Sequence, residues 1–386
     1  MDAPTLTAGD GPRLVTLRPH RLEDADDVLA LCRDEQMQQW TTVPVPYERE
    51  HAESFLRGRA AEWERDGDCT LAIDAVDDEG RTRFAGNIAL RPADPPGTGG
   101  LAEVGFALAP WARERGIMTT ALRRMLEWGF ADTSQGGLGL SVVHWQAHVG
   151  NWASRRVAWA CGFRVEGTVR GLLAQRGVRH DGWIASIVRG DDLSPATPWL
   201  EAPQLHGEHV VLRPWREDDV PRVAEACQDA VTQRWLPQLP SPYTVSDAQW
   251  YVRSREELHA SGAGISWCVA DPDDDRCLGS VAIMRLAGPV PDPEIGYWAH
   301  PEARGRGVTT EATRLAARHA LLPDDVGGLG LERLLLRAAS ANTASNTVAQ
   351  RAGFTQFGTA HRGEQLRDGT VMDFVLYELL ATEGFR

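Results

Sequence analysis

Two segments rich in arginine and glycine carry the residue types that bind anions. One runs Arg304-Gly-Arg-Gly-Val-Thr-Thr310 and the other Arg113-Glu-Arg-Gly-Ile-Met-Thr119, and each opens a helical pattern. Glycine lets the backbone approach a phosphate closely, and the first amides of a helix point outward without an intrahelical acceptor. The helix dipole and the arginines add positive potential at the same place. The segments predict two pyrophosphate sites, with these binding residues: Arg304, Gly305, Arg306, Gly307, Val308, Thr309, Thr310, Arg113, Arg115, Gly116, Met118 and Thr119.

A glutamate stands ahead of each segment, in Glu103-Val-Gly-Phe106 and in Glu294-Ile-Gly-Tyr297. An amine with a pKa of about 10 is protonated at neutral pH and must lose a proton before it acts as a nucleophile. A carboxylate takes that proton directly or through a water molecule. Glu103 and Glu294 are therefore candidate catalytic bases, and the alternative for each is a structural salt bridge at a strand end.

These motifs occur twice because the chain is an internal repeat. Val15-Thr-Leu-Arg-Pro19 recurs as Val210-Val-Leu-Arg-Pro214, and Cys161-Gly-Phe163 recurs as Ala352-Gly-Phe354. The matches keep their order and a nearly constant offset, which indicates duplication of a whole domain. We predict an N-terminal domain over residues 1–190, a proline-containing linker over 191–207 and a C-terminal domain over 208–386.

Each half has the same order of predicted elements. A short strand leads into a helix, a proline-rich loop and a second helix, and three strand-like runs follow before the helix at the arginine-glycine segment. A strand, a short helix and two closing strands complete the half. Strands that come first in a run and then alternate with helices predict a mixed α/β sheet. The strand-like runs are residues 13–18, 69–77, 82–91 and 101–109 in the first half, and 208–213, 265–271, 277–286 and 293–299 in the second.

The ordered set of motifs resembles the GNAT superfamily of acyl-coenzyme-A N-acyltransferases. Its members place a Glu-x-Gly-aromatic strand, an arginine-glycine loop, an Asn-x-x-Ser segment and a Gly-Phe pair in this order. Asp181-Gly-Trp183 and the Leu-Arg-Pro opening are similar to the branch that acetylates the N-termini of ribosomal proteins. The resemblance covers both halves. It implies two tandem GNAT-like α/β domains, each a mixed, mostly antiparallel sheet with splayed central strands flanked by helices.

The resemblance also implies roles for an asparagine and a serine in each half. Asn151 and Asn342 match the family asparagine that hydrogen-bonds the pantetheine arm of the cofactor, although capping of the following helix is an equally good local reason for an asparagine. Ser154 and Ser345 lie three residues later and are candidates to protonate the leaving thiolate. Many members have a tyrosine seven residues after the asparagine, where this chain has alanine.

Composition excludes several other classes of protein. The 386 residues carry a formal net charge of −14, which disfavours a nucleic-acid partner. No apolar stretch is long enough to span a membrane. The six cysteines form no C-x-x-C pair, so we expect reduced thiols, no metal site and a cytoplasmic location. The oligomeric state is left open.

The sequence therefore predicts an N-acetyltransferase that moves an acetyl group from acetyl-CoA to a primary amine. The acceptor is a peptide, an amino sugar or a small metabolite, and one of the glutamates assists its deprotonation. The alternatives are transfer of a longer acyl group in natural-product biosynthesis, or a non-catalytic module that binds coenzyme A. We expect the C-terminal half to be the principal catalyst, because its loop has Gly305 and Thr309 where the first has Glu114 and Met118.

Overall fold

The structure is a computed structural model that describes residues 3–94, 99–288 and 291–381, without the side chains of residues 12, 60 and 62–66. The chain divides into two compact units, Met1–Ala196 and Thr197–Arg386. Each unit has its own hydrophobic core and its own eight-stranded sheet. The predicted α/β fold with two tandem domains is confirmed, whereas the domain and linker boundaries stay predictions.

The first unit contains eight strands and five helices among its described residues. The sheet order is β1-β2-β3-β4-β5-β6-β8-β7, and only the β5–β6 pair is parallel. The elements are β1 (Leu6–Ala8), β2 (Val15–Arg18), α1 (Ala25–Arg33), α2 (Glu35–Trp40), α3 (Arg49–Asp66), β3 (Cys69–Val76), β4 (Thr82–Pro92), β5 (Leu101–Leu108), α4 (Ile117–Phe130), β6 (Val142–His148), α5 (Trp152–Ala160), β7 (Arg164–Gln175) and β8 (Val178–Val188).

The second unit repeats this arrangement. Its sheet order is β15-β16-β14-β13-β12-β11-β10-β9, again with one parallel pair, β13–β14. The elements are β9 (Leu205–His206), β10 (Val211–Arg213), α6 (Val220–Gln228), α7 (Ala230–Trp235), α8 (Val245–Ala260), β11 (Gly264–Ala270), β12 (Cys277–Met284), β13 (Glu294–Ala299), α9 (Val308–Leu321), β14 (Arg333–Ala339), α10 (Thr343–Arg351), β15 (Thr355–Gln365) and β16 (Val371–Leu380).

The two central strands of each sheet pair over only part of their length. In the first unit, β5 and β6 pair only from Leu101 with Val142 to Val104 with Trp145. In the second, the ladder between β13 and β14 is reduced to Glu294 opposite Leu335. Beyond these pairs the strands separate, so a gap opens in the middle of each sheet.

The two faces of each sheet are covered by different helices. In the first unit, α4 packs on one face through an apolar helical stripe that includes Leu122 and Met125, both fully buried. On the other face, α1 and α3 form a separate cluster that includes Val28, Cys32 and Tyr47. The gap between the central strands therefore lies between two helical layers.

A buried ion pair ties the start of α1 to the sheet, and its counterpart recurs in the second unit. The Arg18 guanidinium donates to both carboxylate oxygens of Asp24, at 2.9 and 2.8 Å, and to Asp74. Arg213 and Asp219 repeat this geometry. The Leu-Arg-Pro motif thus serves the fold, since its arginine is almost completely buried.

We expect Asp24→Ala to destabilise the first unit by about 3–5 kcal/mol, because the buried Arg18 would lose the bidentate partner among its two carboxylates and keep only Asp74. Burial raises the pKa of Asp24, but the hydrogen bonds and the positive charge around the carboxylate, chiefly those of Arg18, together outweigh that effect and hold the pKa well below its ordinary value. The stabilisation is present above the ordinary carboxyl pKa and is lost as the pH falls through the lowered one. Urea unfolding at neutral and acidic pH measures both effects. Asp26→Ala is the matched control. The Asp26 carboxylate is 79% exposed, so this substitution should lower the free energy of unfolding by less than about 1 kcal/mol.

The structure adds four short elements that the sequence did not reveal, namely β1, β9, α2 and α7. It also shows that part of the predicted linker packs on the second unit. The Leu200 amide donates to the carbonyl of His259, and Trp267 donates its indole N–H to the carbonyl of Pro203. Among the described residues, no helix is long and apolar enough to cross a membrane.

Candidate functional site

The two arginine-glycine loops adopt the same backbone conformation. Gly116 and Gly307 have φ angles of +74° and +80°, and a side chain at either would point into open space. Two residues earlier, Glu114 and Gly305 share the left-handed conformation, with φ of +60° and +73°. Two left-handed residues within one turn produce a concave loop that admits close approach of a phosphate.

The helix after each loop begins without a side-chain cap. α4 starts at Ile117 behind Gly116, and α9 starts at Val308 behind Gly307. The first amides of both helices therefore lack a protein acceptor from a capping side chain, which fits the binding of a pyrophosphate. The Met118 side chain is 4% exposed and belongs to the core, while the residue also lines the cleft, so its contact with the cofactor stays a prediction.

The first arginine of each loop is committed to another helix. Arg113 forms an ion pair with Asp34, the N-cap of α2, and also donates to the side-chain oxygen of Gln36 on that helix. Arg304 donates to Asp229 at 2.5 Å and to the Thr232 hydroxyl at 2.9 Å. Both guanidinium groups thus brace the loop against α2 or α7, and their contact with a pyrophosphate stays a prediction.

The second arginine of each loop differs between the units. Arg115 forms an ion pair with Asp78 at 2.9 Å and lies over the Trp111 ring, while its Nη1 is buried without a partner. Arg306 is exposed and makes no hydrogen bond or ion pair within residues 3–94, 99–288 and 291–381. The buried guanidinium nitrogen of Arg115 and the exposed guanidinium of Arg306 both lie beside uncapped helix amides. Both arrangements suit an anionic ligand.

The two asparagines cap helices. The Oδ1 atoms of Asn151 and Asn342 accept hydrogen bonds from the amides of Ser154 and Ser345, at 3.2 and 3.1 Å. This is the local role that the sequence offered as the alternative to cofactor binding. Their contact with the pantetheine arm stays a prediction.

The two candidate serines have different partners. Ser154 Oγ accepts from the indole N–H of Trp145 at 3.0 Å, so its own hydroxyl hydrogen remains available to another acceptor. Ser345 Oγ lies 3.0 Å from the hydroxyl of Tyr297, whose pKa is raised by burial to about 12 and which therefore stays protonated at neutral pH. Sequence reasoning missed both partners, although Tyr297 is the aromatic residue of the Glu-Ile-Gly-Tyr motif.

A cleft of about 1280 Å³ lies in the first unit at the gap between β5 and β6. Successive residues of a strand point to opposite faces of a sheet, and both sets line this cleft. On the α4 side it is lined by the loop and by Asn151 and Ser154, and on the α1 side by Val28, Cys32 and Phe55. The cleft therefore passes through the sheet and connects its two faces.

The floor of the cleft on the α1 side is made of small residues between two polar ends. β4 and β5 place three cross-strand pairs on this face, and all six residues line the cleft. The pairs are Arg91 with Glu103, Ala89 with Gly105, and Asn87 with Ala107. An amine can reach the gap across this floor, which we call the acceptor floor.

The corresponding face of the second unit carries a large side chain in place of Ala107. β12 and β13 form the equivalent pairs, which are Met284 with Glu294, Ala282 with Gly296, and Ser280 with Trp298. The Trp298 ring lies 6.1 Å from that of Trp215 and 6.4 Å from that of Tyr251, measured between centroids. These three rings occupy the space between the sheet and the helices α6 and α8.

The two candidate base glutamates are in different electrostatic environments. Glu103 is 39% exposed, and its closest cation is Arg91 at 3.6 Å. Glu294 is 15% exposed and is hydrogen-bonded by both Arg285 and Arg337. The Glu294 carboxylate is engaged by two guanidinium groups and is less accessible than that of Glu103, so this geometry disfavours the expectation that the C-terminal half is the principal catalyst.

One further cluster of potential ligands lies in the second unit. Asp219, Cys268 and Cys277 bring ligand atoms within 4.8 Å of one another, and all three are buried. Both carboxylate oxygens of Asp219 already accept hydrogen bonds from Arg213, which supplies the positive charge there. We assign no metal to this cluster.

A profile of the acetyltransferase (GNAT) domain matches residues 14–164 and, a second time, residues 209–355, which together exceed half of the chain. The chain belongs to the GNAT acetyltransferase family. Both loops, both glutamates and the strand gap lie inside the matched ranges. The protein is therefore an acyl-CoA-dependent acetyltransferase, and the predicted family and enzyme class are confirmed.

Each of two curated relatives of this GNAT protein matches less than half of the chain. A putative ribosomal N-acetyltransferase, YdaF of Bacillus subtilis, is 28% identical over 183 residues, which is 46% of this chain and 93% of the relative. The ribosomal-protein-serine acetyltransferase of Escherichia coli is 25% identical over 122 residues, which is 32% of this chain and 64% of the relative.

Solved structures of family members align over similar lengths. The ribosomal-protein-S5-alanine acetyltransferase from Vibrio fischeri is 18% identical, covers 48% of this chain and 100% of its own, and has a TM-score of 0.42. Mycobacterium smegmatis RimJ in complex with CoA-disulfide is 22% identical, covers 48% of this chain and 88% of its own, and has a TM-score of 0.41.

Proposed function

We propose that the first unit transfers an acetyl group from acetyl-CoA to a primary amine, with the α-amine of a peptide as the preferred acceptor class. The single observation that carries this proposal is the cleft through the sheet, which joins an uncapped helix terminus on one face to the acceptor floor on the other. The cofactor would lie on the α4 side, held by the loop amides and Arg115. The acceptor would cross the floor from the α1 side.

The relatives support a peptide acceptor, because two of them carry names that refer to ribosomal proteins. The net charge of −14 also favours a cationic acceptor. In this proposal the carboxylate of Glu103 attracts the protonated amine to the gap, and Ser154 donates a proton to the departing thiolate.

The second unit is proposed to bind coenzyme A without turning over an acceptor. This second role is favoured by the Trp298 ring on its acceptor face and by the two arginines on Glu294. Its loop keeps Gly305 and the exposed Arg306, so cofactor binding there is expected.

Glu103→Gln should lower kcat/KM at least tenfold, because the cleft would lose the negative charge that attracts the protonated amine. Glu294→Gln is the matched control and should change turnover less than twofold. Steady-state kinetics with acetyl-CoA and the best acceptor measure both. Equal losses in the two variants would mean that both units work, and a loss confined to Glu294→Gln would assign the chemistry to the second.

The proposed function is tested by incubating the full chain with acetyl-CoA and a mixed amine library, followed by mass spectrometry. The library contains hexapeptides with free N-termini, amino sugars and small amines, and parallel reactions use propionyl-, hexanoyl- and decanoyl-CoA. We expect a mass increase of one acetyl group on peptides. Faster transfer of the longer acyl groups would favour the natural-product alternative, and transfer to no amine would reject the proposal.

A further inference from the structure

A histidine stands on the opposite side of the gap from Glu103. On β6, Val143, Trp145 and Ala147 belong to the core on the α4 side, so the alternating residue His148 projects to the acceptor face. His148 lines the cleft and is 8% exposed. It lies three residues beyond Trp145, the last residue of β6 that pairs with β5.

The two groups flank the place where β5 and β6 separate. Glu103 precedes Gly105 by two residues on one strand, and His148 follows Gln146 by two residues on the other. At about 3.3 Å per residue, each side chain starts about 7 Å from the mouth of the gap, within reach of a small group held there. An amine entering across the acceptor floor would therefore meet a carboxylate on one side and an imidazole on the other.

The imidazole is held in place by ring contacts. The His148 ring lies 6.3 Å from that of Trp40 and 5.2 Å from that of His180, between centroids. Trp40 ends α2, and Gln175 fixes the residues on both sides of it by donating to the carbonyls of Gln39 and Thr41. Within the described part of the chain, neither ring nitrogen of His148 forms a hydrogen bond, so one nitrogen can accept a proton.

The surroundings keep this imidazole neutral at neutral pH. Burial lowers the pKa of His148, and the neighbouring His180 lowers it further. His180 on β8 is the titratable ring neighbour of His148. The titratable and charged groups that line the cleft together with His148 are Cys32, Tyr47, Arg59, Arg91, Glu103, Arg113, Glu114 and Arg156. A neutral imidazole is a proton acceptor suited to an α-amine, whose pKa is about 8, better than to a lysine side chain with a pKa of about 10.4.

We propose that His148 is the catalytic base that takes the proton from the acceptor amine in the first unit. This rests on the proposed function. The ammonium group gives one proton to an imidazole nitrogen, the amine lone pair forms a bond to the acyl carbon, and the carbon–sulfur bond breaks. As the amide forms, the nitrogen loses a second proton, which reaches the departing thiolate by way of the Ser154 hydroxyl, and the imidazolium releases the first proton to solvent, so atoms and charge balance. Glu103 binds the ammonium group electrostatically. The second unit has Ala339 at the position of His148 and therefore lacks this base.

The test compares variants in acetyl transfer from acetyl-CoA to hexapeptides that begin with serine or alanine. His148→Gln should lower kcat about 100-fold or more, while KM for the peptide and the affinity for coenzyme A change less than threefold. His148→Ala should behave likewise and recover activity with added imidazole. Glu103→Gln should act mainly through a higher KM. His180→Gln should keep its maximal rate but move the acid limb of kcat/KM to higher pH, because a cause of the lowered pKa is removed.

A kcat within threefold of wild type in His148→Gln, or an acid limb that stays in place in His180→Gln, would overturn the assignment while leaving the proposed function standing. Transfer by the wild-type protein to no peptide or other amine would instead reject the proposed function, and the assignment with it. Measuring coenzyme A affinity by calorimetry in each variant shows that the fold is intact.

Discussion

Ala107→Trp should reduce acetylation of the acceptor at least 100-fold while coenzyme A affinity stays within threefold. The substitution places on the first unit the side chain that the second unit carries at Trp298. An indole there would cover the acceptor floor, whereas the loop on the other face of the sheet would be unchanged. Overpacking costs about 1–3 kcal/mol, but Ala107 lines the cleft, which offers space for the ring.

Trp298→Ala is the control for that experiment. It should leave turnover within twofold, because the second unit still has Glu294 bound by Arg285 and Arg337 and has no counterpart of His148. Steady-state kinetics and calorimetry on the three proteins check this. Full activity in Ala107→Trp would show that the acceptor does not cross this floor, and a gain of activity in Trp298→Ala would show that bulk alone keeps the second unit silent.

Gly116→Glu should abolish turnover and remove one of two coenzyme A sites. A glutamate at φ of +74° strains the backbone, and its charge would stand where the loop amides face a diphosphate. The number of coenzyme A sites per chain, measured by calorimetry, should fall from two to one. Gly116→Ala adds the strain without the charge, so we expect it to weaken binding far less.

Gly307→Glu is the matched variant in the second unit. It should also reduce the stoichiometry from two sites to one, but turnover should persist. Loss of turnover in Gly307→Glu with retention in Gly116→Glu would transfer the catalytic role to the second unit. Unchanged affinity in both variants would reject the assignment of these loops to the cofactor.

The sequence predicted the fold well because its signals are local and occur twice. Strand runs such as 69–77 and 277–286 alternate or stay apolar between clear turn residues, and the structure places strands at Cys69–Val76 and Cys277–Met284. The conformations of Gly116 and Gly307 also follow from residue type, since glycine alone adopts a left-handed φ without strain. Motif order was sufficient to place both loops at helix N-termini.

The site was predicted less completely because its properties depend on contacts between distant segments. Arg113 was predicted only as an anion ligand. Its ion pair with Asp34 depends on α2, a helix of six residues that the sequence did not reveal. The difference between Ala107 and Trp298 could not be interpreted from the strand sequences alone, because its effect depends on packing against α1 and α6. His148 was not predicted as a catalytic residue, because its proposed role depends on where β6 leaves β5.

The early end of pairing between β5 and β6 gives the sheet an inner edge in addition to its two outer ones. Unpaired amide and carbonyl groups at an edge invite the addition of another extended chain. Helices on both faces screen this inner edge, so a folded protein cannot add there. A slender molecule with its own amide groups can lie along it and complete the ladder. We therefore expect the backbone itself to favour ligands by shape, so that a thin, amide-bearing chain fits along this edge and a compact molecule does not.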